Sequence, residues 1–98
     1  MNMQAMLKQA QKLQKDMMET QEKINSTEFI GKSSIVTVKM NGKKELLDVK
    51  IDMEQLESDD IELLQDMIIV AINDAIKQID KETESKMGAY TKGMPGLF

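Results

Sequence analysis

The sequence predicts an α+β fold, a small antiparallel sheet flanked by two long helices. Three observations predict it. Apolar residues step by three and four from Met3 to Ile24, short alternating runs follow around Asn41-Gly42, and helical spacing returns from Ile61 onward. The expected order is α-β-β-β-α in a single domain, residues 1–98.

The first helix, about residues 2–25, organises the chain. Met3, Met6, Ala10, Leu13, Met17, Thr20 and Ile24 form an a/d seam, which Leu7 and Met18 widen. On a helical wheel Gln4, Lys8, Gln11, Lys12 and Lys15 fall together on the opposite side. Lys12–Asp16, Lys15–Glu19 and Glu19–Lys23 are spaced as supporting pairs, whereas Lys8–Lys12 and Lys12–Lys15 repel by similar amounts. Two readings stay open at this point. The face is solvated, or it is a basic, amide-rich surface awaiting an external anion.

The sheet is expected over about residues 28–52. Residues 28–34 (EFIGKSS) supply a short first strand with Gly31 at a bend, and residues 34–40 (SIVTVKM) alternate. Asn41-Gly42 signals a two-residue hairpin turn into residues 44–52 (KELLDVKID). That turn sets Val38 opposite Glu45, Val36 opposite Leu47 and Ser34 opposite Val49. Val36, Val38, Met40, Leu47, Val49 and Ile51 then share one face. The other face mixes Ile35, Thr37 and Leu46 with Lys39, Lys44, Asp48 and Lys50, which reads as a partner-covered surface with a wet rim.

The second helix is expected over about residues 59–87, with Asp59 as cap, Glu62 completing a capping box, and Gly88 as the stop. Its apolar middle should be covered by more than one neighbour, and Met67, Ile68, Ala71, Ile72 and Ala75 are the expected dimer interface. Residues 88–98 read as a loose C-terminal tail. A helix over residues 59–87 is about 43 Å long, against a radius of gyration of about 13 Å for a compact domain of this size. It must overshoot its own globule, so a homodimer with protruding helices is expected.

Composition narrows the chemistry. A chain of 98 residues buries only about 60–65% of its unfolded surface, so a partner subunit would stabilise it. It has no Cys and no His, which removes disulfides and the commonest nucleophile–base pairs and metal sites. The acids Asp52, Glu54, Glu57, Asp59, Asp60 and Glu62 crowd a helix start and read as a cap cluster, not as catalytic carboxylates. No glycine-rich phosphate loop occurs, and three aromatics (Phe29, Tyr90, Phe98) do not make a stacking platform. The expectation is a non-enzyme that needs no cofactor, metal or small-molecule substrate. The longest apolar run, residues 67–72, is too short to span a membrane, so the chain reads as soluble and cytoplasmic.

The net charge of −4 is unevenly divided. Residues 1–50 carry nine lysines against six acids, and residues 51–98 carry four against eleven. All thirteen basic residues are lysines, which neutralise phosphate as point charges without arginine's planar fork.

Residues 6–14 (MLKQAQKLQ), the strands around VKMNG and DVKID, residues 71–76 (AINDAI) and the closing PGLF together resemble the YbaB/EbfC family of bacterial nucleoid-associated proteins. The likeness spans essentially the whole chain, although GKSS (residues 31–34) stands where the family usually has a glycine-rich segment. The resemblance implies a tight dimer with protruding helices. It also implies a partner in double-stranded DNA within the cytoplasm and nucleoid, and roles in nucleoid organisation, gene regulation or DNA protection. Carried onto this chain, it places DNA contacts at Lys8, Gln9, Gln11 and Lys12, to which the helical face adds Lys15 and Gln4. Without arginine the expected binding is to the backbone, salt-sensitive and little dependent on sequence. The alternative is a dimeric protein–protein interaction module with no direct DNA role.

Overall fold

The computed structural model describes residues 2–52, 54 and 56–93. Its elements run α1 (Met3–Ser26), β1 (Glu28–Ser33), β2 (Val36–Asn41), β3 (Leu46–Ile51) and α2 (Ile61–Gly93). The α-β-β-β-α order is the expected one.

Helix α1 begins where Asn2, in an extended conformation, accepts a 3.0 Å hydrogen bond from Gln4 N at its Oδ1. It ends at Ser26, one residue past the expected stop. The Ser26 and Thr27 hydroxyls donate to the carbonyls of Glu22 and Lys23, satisfying acceptors left open in the last turn. Among the described residues, the expected pairs Lys12–Asp16, Lys15–Glu19 and Glu19–Lys23 do not close as ion pairs. The pairs that form are Lys39–Glu28, Lys44–Asp80 and Lys86–Glu82.

The three strands pair antiparallel in the order β1-β2-β3. The hairpin geometry differs from expectation. The two-residue turn is Ser34-Ile35, closed by Ser33 opposite Val36, with Ser34 at φ 51°. Asn41-Gly42 opens a longer loop instead. Asn41 Oδ1 accepts from Lys43 N and Glu45 N, and Lys44 takes φ 66°. Gly42 donates its N–H to Asn25 O, and a Cβ there would overlap the Ile24 carbonyl. Docking of Gly42 on the end of α1 therefore accounts for the wider loop. The register moves with it: Val38 faces Val49 and Val36 faces Ile51, with a bulge before Met40 pairs Leu46. Because the shift is an even number of residues, Val36, Val38, Val49 and Ile51 still share one face.

Gly31 lies mid-strand in β1, not at a bend. A Cβ on it would collide with the Ala71 carbonyl and the Ala75 amide, so its absence lets α2 seat directly on the strand. Ala71 and Ala75, one helical turn apart, complete that close approach and are fully buried. With Phe29, Val36, Val38, Met40 and Ile79 they form the core.

Helix α2 begins about two residues later than expected and runs about six residues further. Asp60, not Asp59, precedes it: its carbonyl accepts Leu64 N at 2.8 Å and its carboxylate accepts Glu57 N at 3.0 Å. At the far end the helix passes straight through Gly88 to Gly93. Tyr90 OH and Thr20 Oγ1 lie 3.2 Å apart, and this contact with α1 holds the extra turn. The part of the expected tail in residues 94–98 lies outside the described residues.

The two helices draw the molecule out to 71 × 20 × 13 Å, with a Cα radius of gyration of 19.5 Å. That is well above the value of about 13 Å for a compact chain of this size.

Candidate nucleic-acid interface

Helix α1 is anchored at one end only. Ile24 is buried, Thr20 meets Tyr90, and Leu13, Met17 and Gln21 are half-buried. From Asn2 to Lys12 every residue is exposed, including Met3 (83%), Met6 (52%) and Leu7 (60%). The first three turns therefore stand clear of the subunit as an arm. An isolated helix this short is marginal in water, so the arm calls for further support.

The outer side of that arm carries the residues singled out from sequence. Gln4, Lys8, Gln9, Gln11, Lys12 and Lys15 are all exposed. At about 100° per residue, Lys8, Lys12 and Lys15 fall within about 60° of one another, opposite the seam, while Gln9 lies about 60° beyond Lys12, toward the seam's edge. The three lysines span about 10 Å along the axis, and a DNA strand presents a phosphate about every 3.4 Å of its own. Among the described residues none of the three is in an ion pair, whereas Lys39, Lys44 and Lys86 are partly neutralised by carboxylates. The arrangement can neutralise phosphates and donate amide hydrogen bonds. It has no planar guanidinium to fork onto a guanine edge.

The residues expected at a dimer interface are divided by the structure. Ala71 and Ala75 are covered completely by β1 within the subunit. Met67, Ile68 and Ile72 are half-buried against the same core. Asp74 and Gln78, which sequence reasoning missed, bond to the free edge of β1. Asp74 Oδ2 accepts Lys32 N at 3.1 Å, and Gln78 Nε2 donates to Ile30 O at 2.7 Å. Polar residues four apart beside the Ala71–Ala75 stripe were the available signal. They close one sheet edge against unwanted pairing. On the helical wheel the opposite flank of α2, with Ile69, Ile72 and Ile76, is turned toward β3. Among the described residues no element covers strand β3: Leu46, Leu47 and Val49 are exposed.

Comparisons with known proteins bear on the fold and the family. The YbaB/EbfC DNA-binding family matches residues 1–94. A nucleoid-associated protein of Enterococcus faecalis is 46% identical over 98 residues, covering 98% of this chain and 94% of that protein. A nucleoid-associated protein of Lactococcus lactis subsp. cremoris is 50% identical over 97 residues, covering 97% and 98%. Among solved structures, that of the uncharacterized Helicobacter pylori protein HP0035 superposes with a TM-score of 0.72 at 26% identity, covering 94% of this chain and 97% of that one. The family model covers nearly the whole chain, both helices and the sheet between them, and describes a class of DNA-binding proteins. This chain belongs to the YbaB/EbfC DNA-binding family.

Proposed function

We propose that the chain acts in the bacterial nucleoid as a homodimer that holds duplex DNA by its backbone through the outer faces of two α1 arms, altering the conformation of the DNA it binds. DNA binding is the family's property, and relatives of nearly equal length are named nucleoid-associated proteins. The observation that carries the reading is the unpaired, exposed row Lys8, Lys12 and Lys15, flanked by Gln4, Gln9 and Gln11 on a projecting helix. Acids outnumber lysines in residues 51–98, which disfavours approach of DNA from the α2 side and orients the subunit.

The dimer is supported by apolar surface that the subunit leaves bare. Ile69 (56% exposed) and Ile72 on the flank of α2, and Leu47 (50%) and Val49 (38%) on β3, which α2 does not contact, are apolar surface that a second copy would cover. Ile69 and Ile72 with Leu47 and Val49 are the contact, with Ile68 at its edge, while Ala71 and Ala75 serve the subunit's own core. The interaction-module reading explains the bare apolar surface equally well but leaves the unpaired lysine row without a role. A gel-shift titration on random duplex DNA at low salt tests the proposal. Retention by the natural chain and loss by a folded Lys8→Gln/Lys12→Gln variant support it; equal retention by both overturns it.

A further inference from the structure

Helix α2 covers the lower half of the α1 seam. Thr20 meets Tyr90 and, further down, Ile24 and Thr27 of α1 line a cleft with Glu82 and Lys86 of α2, so the two helices run antiparallel. Helix α2 ends at Gly93, about 4.5 Å past Tyr90 and level with Met17. The seam runs on from there through Leu13, Ala10, Met6 and Met3. Among the described residues none covers it from Ala10 to Met3, where Met3, Gln4, Met6 and Leu7 form an open, almost wholly apolar groove.

The strip fits a second copy of itself in charge, shape and length. With Met3 and Ala10 at heptad position a and Met6 and Leu13 at d, the flanking e and g positions are Leu7, Gln9 and Gln14. None of these is charged, and Lys8, Lys12 and Lys15 all sit at outer positions. Two strips can therefore meet without bringing like charges together. Laid antiparallel, Met3 faces Leu13 and Met6 faces Ala10 of the second copy, and two-fold symmetry repeats both layers. The small Ala10 leaves room for the long Met6 side chain. The strip from Met3 to Leu13 is about 15 Å long, so the second arm ends at Leu13, about 6 Å short of the level of Gly93.

We propose that the α1 arms of two copies pair antiparallel along Met3–Leu13, and that the paired arms hold two DNA duplexes at once. Lys8, Lys12 and Lys15 lie opposite the seam, so pairing turns the two lysine rows away from each other, about 20 Å apart across two helices. Such a pair joins duplexes and does not coat one. Four layers bury well under the roughly 1,200 Å² of a stable interface, so pairing is weak in the free protein and strengthens where DNA gathers the arms. Pairing needs only the seam, whereas bridging also needs the lysine row to bind DNA as proposed above.

The chain contains no cysteine, so introduced thiols report the pairing directly. Met6→Cys and Ala10→Cys chains, mixed at high protein concentration under a mild oxidant, should give a crosslinked pair. Ala5→Cys, exposed on the outer side of the same helix, should not crosslink. No crosslink from the mixture, or an equal one from Ala5→Cys, overturns the pairing. Bridging is read by fixing one duplex to beads and offering a second, labelled duplex together with the protein. The natural chain should retain the second duplex. Met3→Gln/Met6→Gln keeps the charge and the helix propensity of the arm. It should match the natural chain in gel shift and salt slope on a single duplex, yet lose the second one. Equal retention by this variant overturns bridging through the seam. Failure of the natural chain to shift any duplex would sink the lysine reading instead, and the crosslink would still decide the pairing.

Discussion

Gly31 shows how much one missing methyl group decides. It sits on the inward face of β1 under the Ala71–Ala75 stripe, where backbone meets backbone. Gly31→Ala puts a Cβ into the Ala71 carbonyl, which neither rotamer change nor a flexible side chain can relieve. We expect a loss of about 2–4 kcal/mol in urea unfolding, from displaced packing and from the α2–β1 hydrogen bonds of Asp74 and Gln78 that depend on it. A variant as stable as the natural chain would show that α2 does not seat on this strand. The role proposed for Lys8, Lys12 and Lys15 is one of charge. If all six lysines of a dimer neutralise phosphates, log K should fall with log salt at a slope of about −5. Lys8→Gln/Lys12→Gln removes four of them and should flatten the slope by up to about 3.5, weakening every duplex sequence alike. Folding should hold or improve slightly, because a like-charge pair at i,i+4 disappears. An unchanged slope in the folded variant would mark the face as merely solvated.

Elements were legible in the sequence where periodicity is long, and illegible where tertiary contact overrides a local signal. The α1 seam and the apolar run of α2 fixed both helices, and alternation fixed the inward residues of β2. The hairpin went astray because Asn41-Gly42 is a strong local turn signal, yet Gly42 is held by the end of α1 and Asn41 caps a longer loop. Gly88 misled in the same way. It reads as a helix stop, but contact between Tyr90 and Thr20 carries α2 onward, and a Cβ at Gly88 would meet no atom within 4 Å. The basic face of α1 was visible on a helical wheel, whereas the division of α2 between core and bare flank was not, since only the packing shows which side β1 takes. A measurable consequence follows at Gly88. Gly88→Ala replaces the poorest common helix former with the best at an open position, and should stabilise the protein by about 0.5–1 kcal/mol, raising Tm by several degrees. A lowered Tm would mean that the helix breaks there after all.

At the scale of the molecule, elongation and bare apolar surface have one cause: the subunit is too small to cover its own helices. A 33-residue α2 is about 50 Å long, and the sheet beneath it is three strands wide. Helix α2 covers β1 and β2 and leaves the inward face of β3 open, as it does its own flank with Ile69 and Ile72. Light scattering at micromolar concentration should therefore give about twice the 11.1 kDa subunit mass. Val49→Asp with Ile69→Asp tests which surface makes the pair. Both residues are exposed in the subunit, so the charges leave its core intact, but in a dimer they would be buried without partners. The folded double variant should run at the monomer mass, and its DNA salt slope should fall to about −2.5, since only one arm of three lysines remains on each molecule. The two readings constrain each other. A monomer that kept the full slope would mean that one arm and the sheet lysines suffice for DNA. A dimeric mass retained by the variant would move the contact off this flank, to the apolar seam of α1.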